Sequence, residues 1–222
     1  MQSHENWLDR AILTVESAID ALILEFLEMP FLHRVEHSLH ARLFQILVTQ
    51  RIFADSLRIG DTDYYTQPVH KEWPETIARP EKNGRRGNFD LAILSPKDLE
   101  GASLDDFRHG RGSIVPKVVI EIGLDYGIDH LNQDIFKLEN SGIVAPYIVD
   151  LSRSNSHKTQ IEDRICESKE RVQCAYAHHS KAGLRRSKLI REAVTQPGRR
   201  VPECAFKNDR RQTLRVQGSN AP

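Results

Sequence analysis

Residues 116–151 hold the pattern that most restricts how this chain can fold. "PKVVIEIG" (116–123) is a short apolar run dominated by β-branched residues, and "APYIVDL" (145–151) is another. Between them, residues 129–140 place apolar side chains at helical spacing. Strand, helix and strand in succession close most simply as a right-handed parallel crossover. A parallel pair needs helices over its faces, so the rest of the chain must supply them.

Upstream, Leu8, Ala11, Val15, Ala18, Leu22 and Phe26 recur at three and four and predict a helix over 5–29, stopped by Pro30. A second helix is expected over 31–53, with Leu32, Val35, Leu39, Leu43, Ile46 and Leu47 as its apolar stripe. "YYTQPVHKEWP" (64–74) reads as an edge strand, because Pro68 has no N–H to donate. "GRRGNFDLAIL" (84–94) enters a strand near Asn88, and 98–113 reads as a polar loop. The order helix–helix–strand–strand–strand–helix–strand predicts an α/β chain, a mixed sheet with helices packed on it. Beyond Leu151 the pattern weakens: 170–179 suggests one more strand and 184–194 a short helix. The expected organisation is an N-terminal helix packed on the core (1–30), a core (31–151), a basic extension of it (152–195) and a flexible tail (196–222).

Within this frame three acids sit where acids are costly. Asp90 lies in Phe-Asp-Leu-Ala-Ile-Leu, and Glu121 lies in Val-Val-Ile-Glu-Ile. Glu36 falls at about 100° on a helical wheel whose stripe runs from Val35 at 0° to Leu47 near 120°. A single buried carboxylate is commonly a structural group met by an arginine or a backbone N–H. Three in one small domain raise one another's pKa unless a cation joins them. Hard carboxylate oxygens suit Mg2+ or Mn2+.

Charge bears on what such a site can meet. Residues 1–150 carry 15 Lys/Arg against 24 Asp/Glu, and residues 151–222 carry 16 against 7. The acidic part repels nucleic acid unless a metal ion or the basic part offsets it. No apolar run reaches membrane length, and the acidic N-terminus does not fit a secretory signal. Cys166, Cys174 and Cys204 form no C-x-x-C, which points to reduced thiols and a cytoplasmic location.

A helical Glu, a strand Asp in "RRGNFDLAIL", a strand Glu in "VVIEIG", a helix carrying "DIFKL" and a strand "PYIVDL" follow in order. Over roughly residues 31–151 this resembles the PD-(D/E)xK nuclease superfamily. The resemblance implies a restriction-endonuclease-like αβββαβ core and metal-dependent phosphodiester hydrolysis. It makes Asp90, Glu121 and the carbonyl of Ile122 ligands of Mg2+ or Mn2+, and Glu36 the helical acid that assists metal or water. The substrate it implies is nucleic acid, DNA ahead of RNA.

The departure is Gly123, where the family usually carries a lysine. Lys117 shares the strand parity of Glu121 but lies about 13 Å along it, which is too far. Lys71 stands on the preceding strand. Arg85 and Arg86 precede Asp90 and could reach phosphate. Lys137, on the following helix, is the replacement the family most readily suggests. Its angle is about 130° from the centre of the stripe formed by Ile128, Leu131, Ile135 and Leu138, so its stem must wrap back. Asp134 is nearer the sheet, at about 70°.

Weaker signals are Glu72 as an accessory acid and His40, one turn after Glu36. Trp73 reads as core. His178 and His179 lack zinc spacing. Two functions remain open: a metal-dependent nuclease using Glu36, Asp90, Glu121 and Lys137, or an inactive nuclease-fold module that binds nucleic acid or a protein partner. The first helix either pairs with a second copy, giving a homodimer, or covers the sheet of its own chain.

Overall fold

The computed structural model describes residues 4–78, 86–108, 113–154, 158–167, 171–179 and 185–191. At its centre β5 (Val118–Leu124) and β6 (Ala145–Ser152) pair in parallel from Val118↔Ala145 to Leu124↔Leu151, with α4 (Ile128–Glu139) between them in the chain. Every residue of β6 is buried, as a strand covered on both faces requires.

Six strands form one mixed sheet in the order β3-β4-β5-β6-β7-β8. β3 (Val69–Pro74) and β4 (Asn88–Ile93) are antiparallel to each other, and β4 is antiparallel to β5. β7 (Gln173–His179) runs parallel to β6, and β8 (Arg185–Lys188) closes the far edge antiparallel to β7. A two-stranded ladder of β1 (Leu57–Arg58) and β2 (Tyr65–Thr66) stands apart.

One face of the sheet is covered by α1 (His4–Glu28) and α2 (Glu36–Val48), and the other by α4 and α5 (Lys158–Glu167). On the first face Ala11, Val15, Ile19, Leu22 and Phe26 pack with Leu39 and Leu43 over Ile120, Val149 and Ala177. On the second, Leu131, Ile135 and Leu138 of α4 and Ile161 and Ile165 of α5 pack over Val119, Ile148 and Cys174. The apolar stripe of α1 thus lies on its own chain's sheet.

Several expectations are revised. The second helix does not begin at 31: residues 31–35 form turns, Leu32 and Val35 are exposed, and Val35 is an extended N-cap. Residues 98–113 are not one loop. Ser95 and Asp98 form a capping box that starts α3 (Pro96–Glu100), and Ser103 with Asp106 starts a 3-10 turn at Leu104–Phe107. Within the expected helix at 184–194, Arg185–Lys188 instead form the edge strand β8, whose residues alternate in exposure, while residues 184 and 192–194 lie outside the described residues. α5 was not anticipated, since only Ile161 and Ile165 give it an apolar face. Residues 192–222, and with them the expected tail, lie outside the described residues. Trp73 is core, as expected. Among the described residues no helix is long and apolar enough to cross a membrane.

Candidate metal centre

The β4–β5 ladder runs from Ile93↔Val118 to Leu91↔Ile120 and stops, while β5 and β6 stay paired to Leu124. Past Ile120, the β4-facing side of β5 needs other partners. Asp90 supplies one: its Oδ2 accepts from the Ile122 N–H at 2.8 Å. In an extended strand the N–H and C=O of one residue point the same way, so the Ile122 carbonyl also faces Asp90.

β3 is disturbed at the same level. Its pairing brackets Glu72 and Asp90 with Lys71↔Leu91 and Trp73↔Phe89, and Glu72 has φ 53. A glutamate in this left-handed region costs about 1–3 kcal/mol, a strain that collects at functional sites. The twist also changes faces: Leu91 packs beneath α2, whereas Phe89 and Trp73 pack on the α4 side. Asp90 lies at the switch, and both helices reach it.

From the first face, α2 brings Glu36 and His40. His40 is fully buried, with Nε2 3.5 Å from Glu36 Oε1 and 3.4 Å from Asp90 Oδ2. Glu36 lies in the first helical turn with its side chain one-fifth exposed, consistent with the inward angle read from the wheel. His37 and Glu72 complete two separate trios, Glu36–His37–His40 and His40–Glu72–Asp90, and within each trio one ligand atom per residue lies within 4.8 Å of the others.

From the second face, α4 brings Lys137. Its Nζ lies 2.7 Å from Glu121 Oε1 and 3.6 Å from Glu75 Oε1, and it donates to the Asn88 carbonyl at 2.8 Å. The ammonium also sits 5.3 Å from the centre of the Phe89 ring. The stem wraps back as its angle on the helix requires, leaving the side chain 7% exposed. The Glu121 contact is an ion pair off the hydrogen-bond direction, so Oε1 has no directed donor.

The electrostatics follow from burial. Burial raises Asp90 above its ordinary carboxylate range, with Glu36 adding to it and His40, the Ile122 N–H and Lys137 opposing it. Burial pushes Glu121 well up, Lys137 opposing and Asp90 and Asp134 reinforcing. Burial alone would depress Lys137, but Glu121, Asp134 and Glu75 outweigh it and hold the ammonium charged. Glu16 shows the structural alternative: this buried acid is met by the Tyr147 hydroxyl at 3.2 Å.

Gly123 is open at the level of its missing side chain. An added Cβ would stand 3.6 Å from both Asp150 Oδ2 and Tyr126 Cδ2. Burial and the nearby Glu36 carboxylate raise the Tyr126 phenol.

Of the residues expected at the site, Glu36, Asp90, Glu121, Ile122 and Lys137 converge here. Asp90 groups with Glu36, His40 and Glu72, whereas Glu121 groups with Lys137. Arg86 is half-buried two residues before β4, and Arg85 lies outside the described residues. Lys117 pairs with Asp98 at 3.1 Å, and Lys71 is exposed. Asp134 holds His130 at 3.0 Å. Sequence reasoning undervalued His40, although its place one turn after Glu36 was the available signal. It missed Glu75, for which the sequence after Pro74 carries no strand pattern.

Four buried polar atoms here lack a hydrogen-bond partner: Glu36 Oε2, both His40 nitrogens and Glu121 Oε1. Such atoms are costly in a protein interior. A divalent cation held by Asp90, His40 and Glu36 would satisfy two of them, Glu36 Oε2 and one His40 nitrogen, and draw the raised pKa of Asp90 down, so the donor set fits a metal. Compared with protein-family models, curated proteins and solved structures, the chain matches none.

Proposed function

We propose that this chain is a metal-dependent nuclease with a restriction-endonuclease-like core, hydrolysing phosphodiester bonds in nucleic acid, DNA ahead of RNA. The observation that carries the reading is the convergence of Glu36, His40 and Asp90 from one face of the sheet with Glu121 and Lys137 from the other. The element order α2, β3, β4, β5, α4, β6 supports the same core.

Asp90, Glu36 and His40 would hold the ion, with Glu72 and the Ile122 carbonyl as further donors. The carboxylates suit Mg2+ and Mn2+, and the imidazole shifts the preference towards the transition ion. When bound, such an ion polarises a phosphoryl oxygen and lowers the pKa of a bound water. Asp90 is oriented by the Ile122 N–H, and His40 is fixed by full burial. Lys137 is tied by three oxygens and offsets the charge of Glu121; from there it would take up the part of the lysine at position 123 in the resembled family, which stabilises developing charge and orients the nucleophile. Phe89 beneath the ammonium keeps water from that pair.

The test is nicking of supercoiled plasmid DNA with Mg2+ or Mn2+, comparing the wild-type chain with Asp90→Ala and Glu121→Ala. Cleavage that needs metal and is lost in both variants supports the reading. Metal-dependent cleavage that survives both overturns the site assignment.

A second reading, an inactive module that keeps the fold, is favoured by one observation. Asp90 and Glu121 already have protein partners in the Ile122 N–H and Lys137. On that reading Asp90→Ala leaves nucleic-acid binding unchanged and no carboxylate-dependent metal binding exists.

A further inference from the structure

We propose that the stacked pair Tyr126–His130 is a platform for an unpaired nucleobase, so that single-stranded nucleic acid is what the site takes. The inference rests on the nuclease reading of the adjacent carboxylates and names its substrate class.

The two rings lie parallel at the rim, their centroids 4.1 Å apart and 13° from coplanar. Both are substantially exposed, Tyr126 at 41% and the His130 side chain at 43%. Exposed aromatic residues are ordinary when single and mobile. This pair is held at both ends. His130 Nδ1 is 3.0 Å from Asp134 Oδ2, and the Tyr126 ring edge is placed over Gly123, where a Cβ would stand 3.6 Å away. A ring already fixed in one rotamer loses little freedom when a ligand stacks on it. The Tyr126 hydroxyl faces Glu36, so a base on this platform sits one side chain from the carboxylates.

The rim continues beyond Tyr126. Its neighbour Asp125 holds Arg153 through the guanidinium and the backbone N–H, and Arg153 lies 5.7 Å from the centre of the Phe31 ring. Phe31 is 73% exposed. The guanidinium itself is committed to Asp125 and the His33 carbonyl, so what Phe31 adds is a second open aromatic position, and single strands are bound largely by such base stacking.

A duplex fits this rim poorly. Its bases have both faces covered by neighbours, and only an unpaired or extruded base offers a free face. The surplus of acids over bases in residues 1–150 also disfavours the denser phosphate charge of a duplex, about twice that of one strand.

The experiment is fluorescence anisotropy of a labelled oligothymidylate and of a duplex of equal length, titrated with the full chain in EDTA. Single-strand affinity should exceed duplex affinity. Tyr126→Ala should weaken the single-strand complex between about fivefold and a hundredfold, while Tyr126→Phe, which keeps the ring, holds it within about twofold. Circular dichroism of each variant checks the fold. Unchanged single-strand affinity in Tyr126→Ala, or equal affinity for duplex, overturns the proposal. Because binding is read without metal or cleavage, Tyr126-dependent binding by a chain that cuts nothing upholds the platform and sinks the nuclease reading. Cleavage of DNA with no Tyr126 dependence does the reverse.

Discussion

Lys137 Nζ lies 2.7 Å from Glu121 Oε1, and both side chains are less than a tenth exposed. Neither charge is tolerable alone in that setting, since an unpaired buried ion costs several kcal/mol. Lys137→Met should therefore destabilise the chain by about 3 kcal/mol at pH 7.5 in urea unfolding. The loss should be smaller at pH 5, because burial favours the protonated form of Glu121 and protonation sheds the stranded charge. An equal loss at both pH values would contradict the pairing.

Gly123 and Lys137 should be functionally exchangeable. An added Cβ at 123 meets its neighbours at ordinary contact distance, so the backbone accepts a side chain. Lys137→Met should lower the cleavage rate by about a hundredfold, within the range of lost transition-state electrostatics. Adding Gly123→Lys should recover at least about tenfold of it. No recovery in a folded double variant counts against Lys137 standing in for the lysine at 123.

Asp90 and Glu121 both have folded pKa values raised by burial. Raised acids favour their protonated form in the folded chain, so their contribution is greatest below the unfolded values. It is lost as pH rises through the folded ones. Melting temperature without divalent ions should therefore decline across that window. Mn2+ binds the ionised form, so the stabilisation it adds should grow with pH. A metal increment independent of pH would be the wrong sign of evidence for carboxylate ligands.

His178 belongs to a separate buried network. Its Nε2 lies 3.1 Å from Asp150 Oδ1 and its Nδ1 3.4 Å from Glu162 Oε1, with Arg186 3.2 Å from the other Glu162 oxygen. Burial lowers the imidazole pKa, but the two carboxylates outweigh it and raise the net value above the usual one. That contribution is full below the unfolded value of about 6.5 and disappears as pH rises through the folded value. His178→Gln should cost about 3 kcal/mol at pH 6 and distinctly less at pH 9 in chemical unfolding.

The acids were legible because the violation is local: a carboxylate among Val, Ile and Leu can be seen in six residues. Glu36 needed only a helical wheel, since its Cβ direction settles the face. Lys137 was harder, because a wheel places Cβ and not an ammonium several bonds away. The strands around β5 and β6 announced themselves through β-branched runs covered on both faces. β8 did not: Leu184 and Leu189 suggest a helix, and only the open edge of β7 makes Arg185–Lys188 a strand. The strain at Glu72 and the grouping of His40 with Asp90 are products of tertiary packing, so no local pattern carries them.

The central claim is that Glu36, His40 and Asp90 form a metal site, and calorimetric titration with Mn2+ reads it most directly. The wild-type chain should bind about one ion, with His40→Ala weakening it about tenfold or more and Asp90→Ala abolishing it. Binding that is absent in the wild-type chain, or that persists unchanged in Asp90→Ala, would contradict it.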